Sequence, residues 1–169
     1  CMMYHTEYAD NGMQKMSVLP IRQGNLFFSK FVIAALVLSA MVVIEMAVLV
    51  GCAKYWFPGY IFDLTEILKT AGFQIVVSLP TVMLMLVIAS ACKNMWVSLG
   101  IGVILVFTLS IFPQDNTVLS LFPFASPYQT LAGAIENSRT ALFSVVCGIE
   151  TVVFGIAEVL YWKVRRCFE

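Results

Sequence analysis

The sequence predicts an all-α, polytopic membrane protein with four transmembrane helices and short external interfacial helices. Three observations carry that reading. Hydrophobic residues make up 60% of the 169-residue chain and charged residues 12%, against about 45–50% apolar and about 25% charged in soluble domains. Mean hydropathy is +0.90. The apolar residues fall into four runs, each close to the ~20 residues that cross a bilayer, without the alternation of barrel strands. Disorder is excluded, because it needs low hydrophobicity and high net charge. Ten basic and ten acidic residues cancel, which leaves no general basic field for nucleic acid.

Residues 1–25 form a polar head containing His5, Glu7, Asp10, Asn11, Lys15 and Arg22. The first span is expected over 26–52. Residues 53–71 follow on the far side: Phe57-Pro58-Gly59 makes a turn, and Asp63 with Glu66 has capping-box spacing. This predicts a short interfacial helix from Leu64 to Thr70, stopped by Gly72. The second span, 72–92, contains Pro80, which should kink it. Lys93-Asn94 makes a short break before the third span, 95–112. In 113–139, Ser126-Pro127-Tyr128-Gln129 reads as a helix start, with Ser126 as cap and Pro127 in the first helical position. The expected second external helix runs to about Asn137 and lies at, or dips into, the outer surface. The fourth span is expected over 140–162, followed by a tail at 163–169. Seven basic residues (Lys15, Arg22, Lys30, Lys93, Lys163, Arg165, Arg166) fall on one side and three (Lys54, Lys69, Arg139) on the other. The positive-inside rule then puts both termini in the cytoplasm of a multi-pass cell-membrane protein. Tyr55-Trp56-Phe57 and Tyr161-Trp162 suit the two interfaces.

No catalytic set is visible, so no enzyme is expected. A phosphate-binding glycine loop is absent, and His5 is the single histidine, which leaves no histidine metal cluster or Ser-His dyad within the spans. Five scattered cysteines without a CxxC pair read as free thiols packed as small apolar residues. Three carboxylates lie inside spans: Glu45, Glu150 and Glu158. Charge in lipid costs ~2.5–3.5 kcal/mol or more, so such residues face a bundle interior or a water path. For Glu45 and Glu150 two readings stand side by side: a polar lining for a substrate or proton path, or a hydrogen-bonded carboxyl joining two helices. Glu158, near the cytoplasmic end, is expected to snorkel or to pair with Lys163 or Arg165. Ser144, Gly148, Thr151, Gly155 and Glu158 share one helix face, and such small residues permit close helix packing, within the chain or with a second copy. Ser98 and Gly102 make a shorter version.

The polar head carries a resemblance. Glu7 and Gly12 precede a short helix, then comes Leu19-Pro20-Ile21-Arg22, then Ser29-Lys30 opening the next span. This resembles the cytoplasmic loop of the type-2 ATP-binding-cassette (ABC-2) permeases, which docks on the ATPase subunit and transmits its movement. The resemblance implies ATPase-coupling roles for Glu7, Gly12, Lys15, Leu19, Pro20 and Arg22. A plain amphipathic surface helix is the alternative for this stretch. In layout the chain is similar to spans three to six of a six-span permease, and its start at Cys1 suggests an N-terminally truncated piece. Cys92-Lys93-Asn94-Met95, Leu99-Gly100-Ile101-Gly102 and Leu121-Phe122-Pro123 are similar to the lantibiotic-immunity and bacitracin-resistance permeases. The implied function is the permease subunit of an exporter for amphipathic or peptide antibiotics or other hydrophobic substrates. The implied partners are a cytosolic ATPase subunit, which would hold the ATP and Mg, a second identical or different permease subunit, and membrane lipids. No cofactor is expected in this chain. A membrane sensor or assembly scaffold that transports nothing is the alternative class.

Overall fold

The computed structural model describes residues 23–57, 59, 63–92, 94–111, 120–136 and 139–165. Its elements are α1 (Gln23–Trp56), α2 (Leu64–Ala91), α3 (Met95–Ile111), a 3-10 turn (Ser126–Tyr128), α4 (Leu131–Glu136) and α5 (Thr140–Arg165). Among the described residues there is no strand. Three helices are long and apolar enough to cross a membrane, and α3, with 17 residues, lies at the short end of what spans.

Helix α1 is a single rod of 34 residues. It contains no proline, and Lys54 in its last turn suits the negative end of the helix dipole. Helix α2 starts where Asp63 caps it: the Thr65 amide donates to Asp63 Oδ1 at 2.9 Å. Glu66 turns instead to Lys69, 3.2 Å away on an exposed face.

The separate interfacial helix expected over Leu64–Thr70 does not exist. It is the first two turns of α2, which runs unbroken through Gly72 to Ala91. The reason is energetic. A mid-helix glycine costs about 1 kcal/mol relative to alanine, whereas each backbone group left unpaired in lipid costs several kcal/mol. Helix α2 closes with the Cys92 amide on the Ile88 carbonyl at 3.1 Å. Asn94 then opens α3, its Oδ1 accepting from the Trp96 amide at 3.0 Å.

Helix α2 is the centre of the bundle, packing against α1, α3, α4, α5 and the 3-10 turn. Three apolar clusters form on it. Phe73 and Val77 meet Leu131, Ala134, Phe143 and Cys147. Met83, Leu86 and Ala89 meet Phe27 of α1, with Phe154 of α5 against them. Leu84, Met85 and Ile88 of α2, with Leu105 and Val106 of α3, surround Phe124 and Ala125. The outward faces are apolar as well: Leu36, Met41 and Ile44 on α1, Ile104 and Phe107 on α3, and Val145, Val152 and Ile156 on α5 are exposed. An apolar exterior around an apolar core is what lipid solvation asks for.

Candidate transmembrane site

A polar assembly inside the bundle lies around Pro80. Proline has no N–H to give the carbonyl four residues back, so it opens the α2 ladder at Val76 and crowds that turn. Residues 121–128 dock there. Gln74 Nε2 donates to the Pro127 carbonyl at 2.9 Å. Ser126 Oγ donates to the Val77 carbonyl at 2.9 Å and lies 3.1 Å from the Pro123 carbonyl. Thr81 Oγ1 donates to the Pro123 carbonyl. Thr81 lies about 15 Å from the Ala91 end of α2 and about 25 Å from the Leu64 end, at ~1.5 Å per residue. The segment therefore re-enters to mid-helix depth.

Irregular backbone at that depth is tolerated only where protein covers it. Here Phe124, Ala125 and Ser126 are buried. Pro123 and Pro127 bring no N–H groups, and α2 side chains satisfy their carbonyls.

This arrangement corrects the expectation of one external helix from Ser126 to Asn137. A 3-10 turn and the six-residue α4 stand in its place, and Asn137 lies outside the described residues. Ser126 does not cap. Ala125 occupies the cap position without a side-chain bond, because the Ser126 hydroxyl is committed to α2.

Glu150 flanks the assembly on α5. It is half-buried. Its Oε2 is fully enclosed, with no hydrogen-bond partner. One turn earlier, Cys147 is buried against Val77 and Phe143 and lies within hydrogen-bonding reach of Ser126. Glu45 stands about as far from the Trp56 end of α1 as Glu150 from the Thr140 end of α5, but it is exposed. The two carboxylates therefore do not share buried surroundings in this chain.

Of the two expectations for Glu158, snorkelling is not met. The residue is 1% exposed and holds a polar or electrostatic interaction. It faces inward because its neighbours on α5 pack closely: a Cβ on Gly155 would lie 3.0 Å from Met83 Cε, and one on Gly24 of α1 would lie 3.6 Å from Val159. The buried face of α5 runs through Phe143, Cys147 and Glu158; Phe143 and Cys147 stand one position off the small-residue stripe, and Glu158 belongs to both. Ser144 and Thr151 are half-buried and bond the Thr140 and Cys147 carbonyls of their own helix. Gly148 is exposed, with open space around it. In α3, by contrast, Ser98 and Gly102 are buried, and Gly102 lies directly against Met85.

Sequence reading passed over Gln74 and Thr81. Their signal was present: two polar side chains flank a proline in a run without charges. Glu7, Gly12, Lys15, Leu19, Pro20 and Arg22 lie outside the described residues. Among the described residues, no three His, Cys, Asp or Glu side chains group to hold a metal ion.

No curated protein matches the chain, and no solved structure does. Residues 1–109 match the family model described as ABC-2 family transporter protein. That stretch takes in the polar head, α1, α2 and most of α3. With the all-helical, membrane-spanning architecture, it shows that the chain belongs to the ABC-2 transporter family, whose members are membrane subunits associated with an ABC ATPase.

Proposed function

We propose that this chain is the permease part of an ATP-driven exporter that moves amphipathic or cationic peptide antibiotics, or other hydrophobic substrates, out of the membrane. The observation that carries the reading is the family match over residues 1–109, because it includes the polar head as well as the spans. On this reading Glu7, Gly12, Lys15, Leu19, Pro20 and Arg22 dock a cytosolic ATPase, and both termini lie in the cytoplasm. A second permease subunit completes the transporter, with its ATP and Mg held on the ATPase. Glu150 supplies the polar point of the substrate path: an enclosed carboxylate oxygen without a donor favours a cationic or hydrogen-bond-donating group. Glu45, facing outward from this bundle, would meet substrate only beside another subunit.

The test is recovery of the protein from its host membrane with and without changes in the head. The native protein should bring down an ABC ATPase. Gly12→Pro and Arg22→Glu should each reduce that recovery at least tenfold and abolish transport, while membrane insertion stays normal. Normal recovery and transport in both variants would return residues 7–22 to a surface helix. A native protein that never recovers an ATPase would favour the sensor or scaffold.

A further inference from the structure

We infer that the turn at residues 121–128, buried at its centre, is a brace across a hinge in α2, and that the angle of α2 at Pro80 changes only when this brace lets go. The hinge is Pro80. It removes one rung of the α2 ladder in the middle of a 28-residue helix, and sharp bends in long helices concentrate at proline.

The brace is bonded to both halves. On the Leu64 side of Pro80, Gln74 holds the Pro127 carbonyl and the Val77 carbonyl is held by Ser126. On the Ala91 side, Thr81 holds the Pro123 carbonyl, and Phe124 is packed against Leu84, Met85 and Ile88. A rigid insert joined to both arms of a hinge fixes the angle between them. Any bend at Pro80 must break one set of these contacts. The anchors are side-chain hydrogen bonds rather than a covalent link, so the brace can release and re-form.

The inference goes beyond the transport reading and is tested by a distance, so its failure is separable from a failure of that reading. Leu68 and Ala91 are both exposed, on opposite sides of Pro80. They stand about 35 Å apart along an unbent helix at ~1.5 Å per residue. Leu68→Cys and Ala91→Cys carry spin labels in the full chain, with the other cysteines replaced and labelled protein diluted in unlabelled protein. The expected result is one narrow distance in the otherwise native chain. Thr81→Val, or separately Ser126→Ala, should add a second population several ångströms shorter. Pro80→Ala should restore a single long distance and keep it when Thr81→Val is added, because a helix without a hinge needs no brace.

One unchanged distance in both anchor variants, each shown to be folded by its thermal transition, would overturn the inference. So would a short population that persists in Pro80→Ala/Thr81→Val. Under ATP turnover with the partner ATPase, the native chain should show the short population transiently, and its absence during measured transport would remove the hinge from the cycle.

Discussion

Glu150 illustrates how little a carboxylate's position along a span says about its role. It stands at about the same depth as Glu45, yet one faces outward and the other has an oxygen sealed inside the bundle. An enclosed polar atom without a partner costs free energy, about 1–3 kcal/mol when fully buried. Glu150 is half-exposed, so the lower end applies. Among the described residues nothing bonds that oxygen, so the substrate-path role predicts that the residue is not glue within this chain. Glu150→Leu should leave thermal stability in detergent unchanged or raise it by about 1 kcal/mol. Glu150→Gln should reduce transport severalfold at equal membrane abundance if the charge serves substrate. Full transport by the Gln variant would remove Glu150 from the path, and a large loss of stability in the Leu variant would make it structural after all.

At the scale of elements, the two glycines of α5 separate packing inside the chain from packing outside it. An added side chain at Gly155 runs into Met83, whereas one at Gly148 meets nothing. Gly155→Leu should destabilise by about 1–3 kcal/mol through overpacking. Gly148→Leu should leave the monomer's thermal transition within about 0.5 kcal/mol, as ordinary surface changes do. If a second subunit packs on this face, Gly148→Leu should instead weaken the oligomer, read by cross-linking or size. Equal destabilisation by both would contradict the observed rotation of α5. That rotation was not legible in the sequence. The stripe Ser144-Gly148-Thr151-Gly155 has helical spacing, but Phe143 and Cys147 lie beside it at the same spacing, and only the partner helix decides between adjacent faces. The helices themselves were legible because hydrophobic runs of membrane length have few alternatives. Gly72 does not stop α2, because a glycine within a helix costs less than ending that helix in lipid. Ser126 misled because capping is a local rule, and its hydroxyl found a carbonyl 49 residues away on α2.

For the whole molecule, the alternation of α1, α2 and α3 places Cys52 and Cys92 at opposite ends of the bundle, with Cys147 sealed between them. On the proposed orientation, with the termini in the cytoplasm, a thiol reagent that cannot cross the membrane should modify Cys52 in intact cells at least tenfold faster than Cys92. Permeabilisation should bring Cys92 up, while Cys147 should stay unmodified until the protein unfolds. Comparable labelling of Cys92 from outside intact cells would refute this orientation. Which end faces the cytoplasm is an expectation that rests on where lysine and arginine fall between the spans.

The unequal lengths of α1 and α3 have a consequence for the surrounding lipid. The Lys30 and Lys54 positions on α1 are separated by about 36 Å at ~1.5 Å per residue, against a hydrocarbon thickness of about 30 Å. A tilt of about 34° reconciles the two and stays within the range membrane helices adopt. Helix α3, with 17 residues, reaches only about 25 Å, and for it tilting makes the shortfall worse. If the bilayer rather than a second subunit meets that shortfall, it should thin beside the described part of α3 while α1 leans on the other side. Such a lopsided mismatch predicts that short-chain lipids gather preferentially along the α3 flank.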